Sequence, residues 1–161
     1  MKKGCSIAVL LGFVSLIVLG LFVPAMIWDG AVMKSIDVTV VAADSGLPLP
    51  GRTVVMLGAG GVRSLSGLDV STRADLISSL REGGSAGTTD EHGRVTVRAH
   101  LRAGGTDTFF LHRGRFAADG LLLIVEGSDI VLEKDLEALY PGMHSIGEGL
   151  PPTTLTIQAK M

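Results

Sequence analysis

The sequence predicts a mainly β protein, an antiparallel Greek-key β-sandwich preceded by an N-terminal transmembrane helix, with a short helix in an inserted loop. Three observations support this fold class. A charge-free apolar run opens the chain, at residues 7–28. Several later segments alternate apolar and polar side chains, with glycine and proline between them. A stretch rich in glycine and serine, at about 59–88, interrupts that pattern and contains a helical stripe.

The apolar run is preceded by Lys2 and Lys3 and ends at Trp28. At about 1.5 Å per residue such a helix is about 33 Å long, against a hydrocarbon core of about 30 Å. The lysines predict a cytoplasmic N-terminus, and Trp28 would sit at the far interface. The predicted organisation is therefore a cytoplasmic tail at 1–6, a transmembrane helix at 7–28, a linker at 29–34 and an extracytoplasmic domain at 35–161.

A cleaved signal peptide is the alternative interpretation of the same run. Val23 and Ala25 fit a V-x-A cleavage pattern, although the apolar stretch is longer than the usual 7–15 residues of a signal peptide. The anchor and signal-peptide interpretations both place the remaining chain outside the cytoplasm, in the periplasm or at the cell surface. A third interpretation, a buried helix of a soluble domain, is disfavoured because a core helix seldom lacks polar residues on every face.

Charge and cysteine content narrow the function classes. All 16 acidic residues and 12 of the 14 basic residues lie from Asp29 onward, so the exported part carries 12 − 16 = −4. That balance argues against nucleic acid as a partner. Cys5 is the only cysteine, so no intramolecular disulfide is possible and the apolar core must hold the domain together.

Alternation predicts the individual strands of the domain. In the clearest segment, 94–102, Val95, Val97, Ala99 and Leu101 point to one side, and the residues between them point to the other. The other predicted strands are 35–43, 53–57, 107–112, 121–126 and 154–160. Inside the insertion, a helix is predicted to start at Ser71, and a turn or two of helix is predicted within 133–140.

Two turn motifs resemble those of carboxypeptidase regulatory-like domains. The first is DVTVV at 37–41 followed by SGLPLPGRTV at 45–54, and the second is TDEHGRV at 89–95. The final strand is similar as well. The resemblance implies a prealbumin-like (transthyretin-like) Greek-key sandwich, and it makes the segment between the motifs, about 59–88, an insertion.

Catalytic and cofactor motifs are weak in this chain. The glycines at 58–61 lack the third glycine of a dinucleotide-binding turn, because Arg63 stands in its place. Ser85 lies in a G-x-S-x-G pattern, but a helix is predicted before it where a nucleophile elbow needs a strand. The four histidines show no metal-ligand spacing. We therefore predict no catalytic, cofactor-binding or metal residues. An enzyme would need distant groups such as Asp90, His92 and His144 to converge in one pocket.

One strand face is the candidate partner-binding surface. Arg94, Arg98, His100 and Arg102 share the polar side of the 94–102 strand, which would then meet an acidic protein, an anionic glycan or lipid headgroups. The predicted function is a membrane-anchored, non-catalytic binding or structural module of the cell envelope. The alternative is an accessory domain or subunit of an envelope enzyme or membrane assembly.

Overall fold

The computed structural model describes residues 3–22, 26–58, 68–108, 111–127 and 129–158. Within these ranges the chain forms three helices and nine strands. The helices are α1 (Lys3–Phe22), α2 (Val70–Glu82) and α3 (Leu136–Leu139). The strands are β1 (Met26–Ala42), β2 (Thr53–Gly58), β3 (Ala86–Thr88), β4 (Arg94–Asp107), β5 (His112–Ala117), β6 (Gly120–Glu126), β7 (Asp129–Asp135), β8 (Met143–Ser145) and β9 (Thr153–Ile157).

The strands form two sheets, so the prediction of a mainly β fold is confirmed. Sheet A has the order β8-β5-β4-β1-β9, and sheet B has the order β3-β2-β6-β7. The pairs are antiparallel except β1 with β9, which run parallel from Val38 against Thr153 to Ala42 against Ile157. The chain crosses from one edge of sheet A to the other between β8 and β9. Strand β9 then runs in the same direction as β1. The expectation of an entirely antiparallel sandwich is therefore wrong at this pair.

The main core lies between the two sheets. Successive side chains of a strand point to opposite sides, so every second side chain of β1 and β4 faces sheet B and contributes to this core. The fully buried members include Ile36, Val38, Leu101, Phe116 and Leu122. Burying each side chain of this size contributes about 1.5–3 kcal/mol, which fits a domain that no disulfide stabilises.

A second, smaller core lies on the outer side of sheet B. Val55, Leu57, Leu123 and Val125 point away from sheet A and pack with α2 and the residues beside it, among them Leu68, Leu76, Ile77 and Leu80. Strands β2 and β6 are thus buried on both faces. The stretch at 59–88 is more than an insertion between strands, because α2 forms a third layer and β3 extends sheet B. Residues 59–67 lie outside the described ranges.

Helix α2 begins at Val70, one residue before the predicted start. Its N-cap is Asp69, not Ser71, and the Asp69 carboxylate accepts a hydrogen bond from the Thr72 backbone N–H at 3.0 Å. Hydrogen bonds from the hydroxyls of Ser71 and Thr72 and from that N–H hold the pKa of Asp69 far below its ordinary value. A carboxylate that accepts these donors fixes the start of the helix.

The predicted transmembrane helix at 7–28 is wrong. In the parts of the chain that the structure describes, no helix combines the length and apolar character needed to cross a membrane. Helix α1 starts at Lys3 and ends at Phe22, and from Met26 the chain is strand β1, paired with β4. Trp28 is therefore no interfacial anchor; its ring stacks on His112, with centroids 6.1 Å apart. The predicted linker at 29–34 is likewise part of β1.

Several predicted boundaries also change. The strand predicted at 107–112 is wrong in its described part, because β4 ends at Asp107 and β5 begins at His112; residues 109–110 lie outside the described ranges. The helix predicted within 133–140 shrinks to α3, since residues up to Asp135 pair in β7 with β6. The last strand ends at Ile157, and residues 159–161 lie outside the described ranges.

Candidate anion-binding face

The four residues predicted as a partner-binding surface lie together on the outer side of sheet A. Arg94, Arg98, His100 and Arg102 are all exposed on β4, while the alternating residues Val97, Ala99 and Leu101 are buried. A strand rises about 3.3 Å per residue, so the three arginines follow one another at intervals of about 13 Å.

Strand β5 adds two arginines that the sequence interpretation missed. Arg113 is paired with Thr106 and Arg115 with Gly104, so both side chains point to the same outer side as Arg102. Both are exposed. An alternating R-G-R signal was present at 113–115, but the predicted strand stopped at His112. We call the six side chains together the basic face: Arg94, Arg98, His100, Arg102, Arg113 and Arg115.

Four aspartates lie among or beside these arginines in the described part of the chain. Asp29 lies 3.5 Å from Arg102 (Oδ2 to Nη2), and both side chains are 70% exposed. Asp37 accepts a hydrogen bond from the Thr96 hydroxyl at 2.6 Å. Asp119 accepts a hydrogen bond from the Arg102 N–H at 3.2 Å, and Asp90 accepts one from the Arg94 N–H at 2.8 Å. With five arginines and these four aspartates, the face carries 5 − 4 = +1, while the rest of the chain carries 9 − 12 = −3. The charge of the molecule is therefore segregated, although its sum is only −2.

Exposed apolar side chains lie among the arginines. Ile27 and Met33 project outward from β1, paired with Thr106 and His100, and Met143 projects outward from β8 beside Ala117. Their exposed fractions are 78%, 51% and 57%. Single exposed apolar residues are ordinary, but these three share one face with the basic side chains.

The two turn motifs meet at the start of β4 and fix its first arginine. The Thr89 hydroxyl donates to the Leu49 carbonyl at 2.8 Å and accepts from the Arg52 N–H at 2.9 Å. Gly93, with φ +69°, lies so close to the first motif that a Cβ would come 2.6 Å from the Val40 carbonyl oxygen. Only glycine fits such a position without strain.

Asp90 completes this turn. Its carboxylate accepts hydrogen bonds from the backbone N–H groups of Arg94 at 2.8 Å and His92 at 2.9 Å. The Arg94 bond is the main reason that the pKa of Asp90 lies below its ordinary value, followed by the His92 bond. Asp90 thus acts as a turn residue that orients the beginning of the basic face.

An open groove of about 580 Å³ adjoins this end of the basic face. Its lining includes the polar side chains of Asp37, Asp90, Arg94 and Thr96. Two carboxylates and one guanidinium meet there, so the groove itself does not favour an anion.

The groups that an enzyme would have needed do not converge. Asp90 precedes the start of β4, whereas His144 lies beside Phe116, which pairs with Ala103. Nine residues of strand therefore separate the two levels, about 30 Å. The carbonyl of Ser85 accepts a hydrogen bond from Met56, and its N–H donates to Leu80, so Ser85 closes helix α2 before β3. Among the described residues, no three His, Cys, Asp or Glu side chains are grouped to hold a metal ion.

Comparison with known proteins found no matching family model, no matching curated protein and no matching solved structure. The resemblance of the two turn motifs to carboxypeptidase regulatory-like domains therefore stays a prediction.

Proposed function

We propose that this protein is a non-catalytic binding module that holds an anionic partner on the basic face of sheet A. The observation that carries the proposal is the segregation of charge. Five exposed arginines share one sheet face with four neighbouring aspartates, for a sum of +1, whereas the remaining chain sums to −3. Such a field attracts anionic partners and orients them toward one side of the molecule.

The spacing of the arginines favours an extended partner over a small anion. Arg94, Arg98 and Arg102 stand about 13 Å apart along β4, so one phosphate or carboxylate cannot contact all three of them. The Debye length in physiological salt is about 8 Å, so each arginine acts almost independently. A polymer or surface that repeats its negative charge meets several arginines at once, and their contributions add.

Binding to a soluble polyanion tests this function. Fluorescein-labelled dextran sulfate is titrated with the full chain, and anisotropy reports the affinity. We expect Arg98→Glu with Arg102→Glu to weaken binding at least tenfold, because four units of charge change on the face. Arg98→Glu alone is also compared with the matched control Lys134→Glu, which makes the same charge change at an exposed site on β7 of sheet B.

The proposal fails if Arg98→Glu and Lys134→Glu bind dextran sulfate equally well. Equal melting temperatures of the two variants would show that a difference in affinity does not come from unfolding. The expected position of the domain outside the cytoplasm stays a prediction, as does its role as part of a larger envelope assembly.

A further inference from the structure

The basic face contains a feature that a partner dissolved in water does not explain. Ile27, Met33 and Met143 are more than half exposed on the same side of sheet A as the arginines. A hydrated polyanion gains nothing from contact with these apolar side chains. A bilayer surface offers both chemistries, because anionic headgroups lie directly above acyl chains.

The apolar side chains are interleaved with the arginines. Met33 pairs with His100 on β4, between Arg98 and Arg102, and Ile27 pairs with Thr106, which pairs in turn with Arg113. Met33 thus has a basic partner on the adjoining strand, and Ile27 has one two strands away at the same level, whereas Met143 pairs with Ala117. From the Thr39 level to the Ile27 level the face extends over twelve residues of β1, about 40 Å, which spans several lipid headgroups.

We propose that the basic face lies flat on an anionic phospholipid surface, with its arginines at the phosphates and with Ile27, Met33 and Met143 in the interfacial layer. This inference rests on the proposed function, because it names the anionic partner of the same face. Each arginine near a charged membrane adds to the attraction, and the apolar side chains add a contribution that salt does not screen.

The test places a fluorophore on the face and reads its contact with lipid directly. Cys5, the only cysteine, is replaced by serine, and Met33→Cys is labelled with the environment-sensitive dye NBD in the full chain. Lys134→Cys, on exposed β7 of sheet B, carries the same dye as the matched control. Vesicles contain phosphatidylcholine alone or with about one third phosphatidylglycerol.

We expect the dye at position 33 to shift to shorter wavelength and brighten with phosphatidylglycerol vesicles, and the dye at position 134 to stay unchanged. Adding Arg98→Glu and Arg102→Glu should raise the lipid concentration for half of the change at least tenfold. Helix α1 also exposes apolar side chains, so it is the dependence of the signal on Arg98 and Arg102 that distinguishes contact through the basic face from attachment through α1.

Two other results separate the lipid inference from the proposed function. If dextran sulfate binds through the basic face but the fluorescence of the dye at position 33 does not change with phosphatidylglycerol vesicles, the partner is a soluble polyanion and the lipid inference is overturned. If neither probe binds through the face, both are overturned. A response that is equal with phosphatidylcholine alone also overturns the inference, because the arginines would then contribute nothing.

Discussion

Replacing Thr89 by valine should measure how firmly the two turn motifs are joined. Thr89 is 4% exposed, and its hydroxyl is bonded to the Leu49 carbonyl and to the Arg52 N–H. Valine keeps the shape and removes both hydrogen bonds. At about 1 kcal/mol of net contribution per bond, we expect the free energy of unfolding to fall by about 2 kcal/mol. For a domain of this size that lowers the melting temperature by about 8 °C.

Urea unfolding followed by far-ultraviolet circular dichroism is the assay, and Thr89→Ser is the matched control. Serine keeps the hydroxyl and removes one methyl group, at a cost of about 0.8 kcal/mol. Valine should therefore be the more destabilising of the two. If Thr89→Val is as stable as Thr89→Ser or more so, the hydroxyl does not join the motifs and the reasoning is wrong.

Two further predictions concern Tyr140 and Gly105. Burial raises the pKa of Tyr140, so its contribution to stability is complete below the ordinary value of 10.0 and is lost as the pH rises through the folded pKa. Absorbance at about 295 nm follows the ionisation of this sole tyrosine and should show it above that value; ionisation at the ordinary value would contradict the prediction. Tyr140→Phe should no longer lose stability at alkaline pH. Because phenylalanine also lacks the hydrogen bond to the Pro151 carbonyl, the free energy of unfolding of this variant should be lower by about 1 kcal/mol. A Cβ at Gly105 would collide with the Arg113 carbonyl oxygen and come 2.8 Å from the Trp28 ring, while one at Gly30 would touch nothing within 4 Å. Thermal melts should therefore show Gly105→Ala about 3 kcal/mol less stable and Gly30→Ala close to wild type, and equal melts would refute this account of how Trp28 packs.

The sequence was sufficient to predict the part of the site that depends on local alternation. Val97, Ala99 and Leu101 are buried and Arg98 and Arg102 are exposed, because a strand places successive side chains on opposite sides whatever its partners are. The strand Thr53–Gly58 was likewise predicted to within one residue, since its apolar run ends at glycine.

Features that depend on pairing between distant segments were not predictable. Arg113 joins the basic face only because β5 pairs with β4 in one register, and a shift of one residue would turn it inward. The pattern of the apolar run at the N-terminus does not indicate the change from helix to strand that follows Phe22. Leucine, isoleucine and valine suit both structures, and only pairing with β4 shows that Trp28 belongs to a strand.

The affinity of the β5 arginines for a polyanion tests the central claim most directly, since that claim is one continuous basic face across two strands. Arg113→Glu with Arg115→Glu is measured against labelled dextran sulfate beside Arg98→Glu with Arg102→Glu, at low and physiological salt. We expect each pair to weaken binding at least tenfold and wild-type affinity to fall as salt rises. Wild-type affinity in the β5 variant would contradict the account, because the two strands would then not form one surface.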